Sequence, residues 1–147
     1  MEAMWMKFSP SFRAFLHEAR TGRIGDIRAV RGYFGIPFGT EDSDRWSAER
    51  SSSTLLDQGI YPVTLAVELL GTPSGIIADG HPRADAVDLT EYVTLRYDGG
   101  RIAHLAASMV QFIEPTCGCR KPMPLGDIHE SRLRRGHAAG PGNGPGR

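Results

Sequence analysis

The sequence predicts an α+β fold: an open, mainly antiparallel sheet with helices on one face. Three observations carry this. The apolar period is helical over residues 9–19, becomes two over residues 24–38 and is helical again over residues 51–71. Behind that second helix comes a run of alternating segments, so the order is helix, strand, helix, then several strands. Between two of those segments stands Asp98-Gly99-Gly100, a strong hairpin turn, because glycine tolerates the positive φ that tight turns demand.

In order along the chain, residues 1–8 (MEAMWMKF) are an apolar opening in which only Glu2 and Lys7 are charged. A free terminus is usually polar, so this one reads as entering from something packed before it. Ser9 is a good cap and Pro10 a good first helical residue, and Phe12, Phe15, Leu16 and Ala19 keep helical spacing until Thr21-Gly22. Over residues 24–38 Val30, Phe34, Ile36 and Phe38 should point one way, with Gly32 between them, and Arg31 and Tyr33 the other. Residues 40–50 are polar with a single Trp46 and read as a surface loop.

The stretch over residues 51–71 organises the rest. Leu56, Ile60, Val63, Val67 and Leu70 fall near a 3.6-residue period and should line the buried side. Asp57 and Tyr61, four apart, share a second and polar face that Thr64 and Glu68 extend. A carboxylate and a phenol one turn apart can handle a proton. Gly59 weakens the middle and Pro62 removes a backbone donor, so a kink or a new start is expected there; Gly71 and Thr72-Pro73 end the helix.

Residues 75–79 form a short strand candidate, followed by a loop over residues 80–86 with His81 and Pro82. Next, Leu89, Val93, Leu95 and Tyr97 alternate with Thr90, Tyr92, Thr94 and Arg96, and residues 101–110 return as the partner strand. Past Ile113 the composition turns polar and ends in HAAGPGNGPGR. The domain is therefore bounded at residues 1–113, and residues 114–147 are expected to be a disordered tail, unable to offset chain entropy by burial.

The 147 residues suit one domain with a real core, and a formal net charge of zero gives no global field for nucleic acid or an anionic membrane. No apolar run approaches the ~20 residues of a membrane span, and nothing at the N-terminus resembles a secretory signal. Cys117 and Cys119 make no disulfide framework, and C-x-C is not a strong zinc spacing, so no metal is expected and a cytoplasmic location is. Arg132, Arg134 and Arg135 read as solvated tail, His104 as a sheet histidine, and Trp5 and Trp46 first as packing residues.

Several words occur in one order: EAMWMKF (residues 2–8), GRIGDIRAV (22–30), TLLDQGIYPVTLA (54–66), LLGTP (69–73) and YDGGRIAHLAAS (97–108). Together they resemble the C-terminal domain of the Gfo/Idh/MocA oxidoreductases, nearest the dihydrodiol dehydrogenase and glucose–fructose oxidoreductase branch, over about residues 1–112. That resemblance implies a two-domain enzyme in which an N-terminal Rossmann domain holds NAD(P). The second domain completes the cleft for a sugar, polyol or dihydrodiol and forms a homo-oligomer through its sheet. By the same resemblance Tyr61 falls at the acid/base tyrosine and Asp57 at the family's active-site aspartate. Lys7 falls where a basic residue borders the cleft, with Trp5 beside it.

The departures bear on activity. No G-x-G-x-x-G occurs, so no Rossmann unit is expected in this chain, and the family's lysine motif would lie upstream of the opening word. Ser51-Ser52-Ser53 replaces a glycine-rich run, and the family's later strands give way to the polar tail, as a shifted frame or truncated gene would produce. The chain alone is thus expected to be inactive. The alternatives are a non-catalytic interaction domain that pairs through its sheet, or a decayed gene product.

Overall fold

The computed structural model describes residues 4–39, 46–47 and 53–120, with the main chain alone at Arg120. A 3-10 turn, Trp5–Phe8, leads into helix α1, Pro10–Arg20, and then into strand β1, Ala29–Gly35. A π turn, Leu55–Gly59, runs straight into helix α2, Ile60–Leu70. Strands β2 (Gly75–Pro82), β3 (Asp88–Arg96), β4 (Ile102–Ser108) and β5 (Ile113–Arg120) follow. The five-stranded sheet has the order β2-β3-β4-β1-β5, and every pair is antiparallel except β1 with β4. The expected α+β architecture is what forms, as a mixed sheet with both helices on one face.

The core lies between the sheet and the helices. Ile27, Val30, Leu65, Ala66, Leu70, Leu95, Tyr97, Ala103 and Leu105 are buried together, and Phe12, Phe15 and Ala19 of α1 pack against them. At about 25 cal/mol per Å² of apolar surface removed from water, this cluster is the main favourable contribution to folding. α2 can lie close on β1 because of Gly32. A side chain there would put its Cβ 2.7 Å from Pro62 Cβ, inside contact distance.

The buried stripe of α2 differs from the periodic one. Pro62, Leu65, Ala66 and Leu70 are buried, whereas Leu56 and Val67 are 55% and 41% exposed. The π turn is the physical reason. It adds a residue per turn ahead of Pro62, whose ring has no N–H to donate, and so rotates Leu56 out of line with the helix that follows. The break expected near Pro62 thus takes the form of a widened turn and a new helical start at Ile60.

Three other boundaries shift. β2 continues through His81 and Pro82, where a loop was expected, because main-chain pairing with β3 needs no apolar pattern. Residues 116–120, expected to be disordered, pair with β1 as edge strand β5, and Cys119 packs against the core. The rest of the expected tail, and most of the loop over residues 40–50, lie outside the described residues. Trp46 is described; its indole N–H donates to Gly39 O at 2.9 Å, and the Arg83 guanidinium stacks over its ring. The hairpin turn forms as expected, with Gly99 and Gly100 at φ +70 and +71. Among the described residues no helix is long and apolar enough to cross a membrane.

Candidate active site

A cleft of about 670 Å³ opens on the helix side of the sheet, where the first residues of the chain cross the end of β1 and the start of α2. Trp5 and Met6 form its rim, Phe12 and Phe15 of α1 one wall, Phe34, Ile36 and Phe38 another, and Asp57, Gln58 and Tyr61 the helical edge. Its lining is overwhelmingly apolar, with polar groups gathered at that helical edge.

Tyr61 is the fixed point. The Trp5 indole N–H donates to Tyr61 Oη at 3.1 Å, and the two ring centroids are 6.0 Å apart. Phe34 meets the other side of the phenol edge-on, at 5.6 Å between centroids. The phenol is therefore clamped between two aromatic rings while its oxygen, already accepting from Trp5, keeps its own O–H to donate. Asp57 lines the same cleft from the π turn, and its N–H donates to Ser53 O at 3.0 Å. The two residues that the spacing paired do share one side of the structure.

The turn carrying them is held by polar contacts. Gln58, 1% exposed, accepts from Ile36 N–H at 2.9 Å and donates to Ile36 O at 2.8 Å, so its amide completes the end of β1 like a short length of strand. Thr54 donates its hydroxyl to Asp88 O at 2.7 Å, and the Leu55 N–H donates to Asp88 Oδ2 at 2.8 Å. Gly59 leaves room for Glu91: a Cβ at that position would stand 1.8 Å from Glu91 Oε1. Burial beneath the turn pushes the Glu91 carboxyl up to about 7, and the nearby Asp88 charge adds to the effect.

Lys7 goes elsewhere. Its ammonium pairs with Glu68 at 3.1 Å, one side of an exposed triad whose other cation is Arg20. The Lys7 hydrogen bond, with the charges of Lys7 and Arg20 behind it, lowers the Glu68 carboxyl below its ordinary value. An exposed pair of this kind is worth roughly 0–1 kcal/mol, so it ties the opening turn to α2 without fixing it firmly. Trp5, Asp57 and Tyr61 are thus brought together, and Lys7 is not among the residues lining the cleft. Gln58 and Glu91 were not singled out from the sequence. The available signal was a polar residue four before Pro62 and seven before Leu65, on the face that turns out to be buried.

Among the described residues no group of three His, Cys, Asp or Glu side chains converges to hold a metal, and Cys117 and Cys119 are free thiols on β5. No helix among them opens from a glycine-rich turn after a strand, the arrangement that cradles a dinucleotide phosphate, so these residues do not fit one.

Comparison with known proteins fits this geometry. Residues 12–117 match the profile described as GFO/IDH/MocA C-terminal domain. The chain is similar to dTDP-3,4-didehydro-2,6-dideoxy-alpha-D-glucose 3-reductase of Saccharopolyspora spinosa, 34% identical over 107 residues, 65% of this chain and 32% of that one. It is also similar to trans-1,2-dihydrobenzene-1,2-diol dehydrogenase of Bos taurus, 34% identical over 103 residues, 68% of this chain and 30% of the relative. Among solved structures it resembles KijD10, a 3-ketoreductase from Actinomadura kijaniata in complex with NADP and TDP-benzene. That match has a TM-score of 0.70 at 27% identity, over 82% of this chain and 38% of the other. The chain spans about a third of the length of the curated relatives it matches.

Proposed function

The chain belongs to the Gfo/Idh/MocA family through its C-terminal domain, and from that premise we propose that it is the substrate-seating half of an NAD(P)-dependent oxidoreductase acting on a ring hydroxyl of a sugar, polyol or dihydrodiol. One observation supports this above the others: Tyr61 Oη stands at the polar edge of an otherwise apolar cleft, held by Trp5 and Phe34. Interconverting an alcohol and a ketone requires a proton to move at the substrate oxygen. A clamped phenol with a donor to spare can supply or accept it. Asp57 assists at the same edge by orienting a second hydroxyl. Lys7, held by Glu68, acts only on the opening turn. Since the described residues do not cradle a dinucleotide, this chain's own part is to seat the substrate, keep water from it with aromatic walls and handle its proton.

Joining the chain behind the nucleotide-binding half of a family relative tests the reading. Dinucleotide-dependent oxidation of a cyclic alcohol is the expected result. A folded chimera that binds the dinucleotide and turns over no ring alcohol would sink the proposal.

A second reading has its own observation. The sheet face opposite the helices carries Ile77 and Tyr92, 49% and 53% exposed, beside a hollow of about 590 Å³ that also touches Tyr33, Thr94 and His104. An exposed aromatic and aliphatic surface on an uncovered sheet suits pairing with a second copy. Light scattering on the purified chain, with and without Tyr92→Arg, distinguishes them: a monomer in both removes the assembly role.

A further inference from the structure

The walls of the cleft narrow the class of substrate, and this step rests on the reading of Tyr61 above. Phe12, Phe15, Phe34, Phe38, Pro62 and Leu65 present carbon to whatever enters. Polar side chains are either committed or confined to one edge. Gln58 spends its amide on Ile36, and Ser9 and Ser11 bond each other at 2.9 Å. That leaves Asp57 and Tyr61 side by side on the helical edge, where a pair of neighbouring hydroxyls would meet them.

We propose that this cleft takes a six-membered ring with hydroxyls on two adjacent carbons and bare carbon elsewhere, and rejects a ring hydroxylated all round. The diol edge faces Tyr61 Oη and Asp57, and the bare edge lies against the phenylalanines. A fully hydroxylated ring would turn several hydroxyls onto aromatic faces that offer no partner. A hydrophobic pocket rejects a single added hydroxyl by about 100-fold, so a ring with four more should bind at least that much more weakly.

The chain carries its own probe. It has two tryptophans: Trp5 donates to Tyr61 Oη at the cleft, and Trp46 donates to Gly39 O away from it. Their indole N–H signals in an NMR spectrum of the full chain therefore report the cleft and an internal control. Titration with trans-1,2-cyclohexanediol should move the Trp5 signal saturably and leave Trp46 still. Myo-inositol should need at least ~100-fold more ligand. Tyr61→Phe should weaken the diol roughly 10-fold, and Phe15→Ser should narrow the gap between the two ligands. Inositol acting at equal or lower concentration, or a diol that moves neither signal or only Trp46, overturns the proposal. If the diol binds as described and the chimera fails to oxidise it, the redox reading falls and the ring preference stands. If the chimera prefers inositol, the reverse holds.

Discussion

The two ends of one helical run, Thr54 to Leu70, are held by different physics. At the C-terminal end Leu65, Ala66 and Leu70 are simply removed from water against β1 and β4. At the N-terminal end Gln58, Thr54 and the Leu55 N–H are matched one by one to Ile36 and Asp88, and Glu91 fills the space over Gly59. Apolar burial is non-directional and tolerates small shifts. Hydrogen bonds at fixed distances do not, and they set where a side chain points. The residues with chemical potential, Asp57 and Tyr61, stand at the directional end. The core residues stand at the other.

Substitutions along the run sharpen that contrast. The largest loss of stability should come from the apolar end: Leu70→Ala removes a side chain that is 5% exposed and should cost about 3 kcal/mol in urea denaturation. Because it lies three turns from Tyr61, the Trp5 indole signal should barely change. Gln58→Leu should cost less, about 2 kcal/mol, since it strands the Ile36 N–H and C=O. It should nonetheless shift the Trp5 signal strongly. If both variants disturb the cleft equally, the division between the two ends is wrong.

Glu91 adds a pH signature to the directional end. Its carboxyl stays neutral in the fold up to about 7, whereas the ordinary value is 4.5. Stability from the protonated group is therefore fully present below 4.5 and lost as the pH rises through 7. After discounting for its remaining solvent contact, the loss is on the order of 1 kcal/mol. Glu91→Gln should flatten that slope and raise the melting temperature at pH 8; an unchanged slope would contradict the burial argument. The smallest effect belongs to Val67→Ala, within about 0.5 kcal/mol, because that side chain faces solvent. The periodic reading, which put Val67 in the core, predicts several times more.

That last contrast shows how far the sequence could be read. Alternation along β3 and the two glycines after Asp98 are local signals, and the hairpin they imply forms as written. The pairing of Asp57 with Tyr61 on one side also survived, because four residues return to the same face even across a widened turn. The stripe did not. A π turn ahead of Pro62 changes the phase of the helix, and nothing in a 3.6-residue count contains it. β5 was equally hidden: an edge strand can be held by main-chain bonds to β1 alone, with a sequence such as Glu114-Pro115-Thr116 that carries no apolar alternation. Lys7 was placed by resemblance at the cleft, and only the position of Glu68 across the opening turn shows why it pairs there instead.

The most direct measurement is the turnover of the chimera bearing Tyr61 against the same protein bearing Tyr61→Phe. A phenol that moves the substrate's proton accounts for roughly 100- to 10,000-fold in rate, so the substitution should lower kcat within that range while KM changes little. Undiminished kcat without the hydroxyl would mean that Tyr61 is a packed aromatic like Phe34, and that the proton travels by another group.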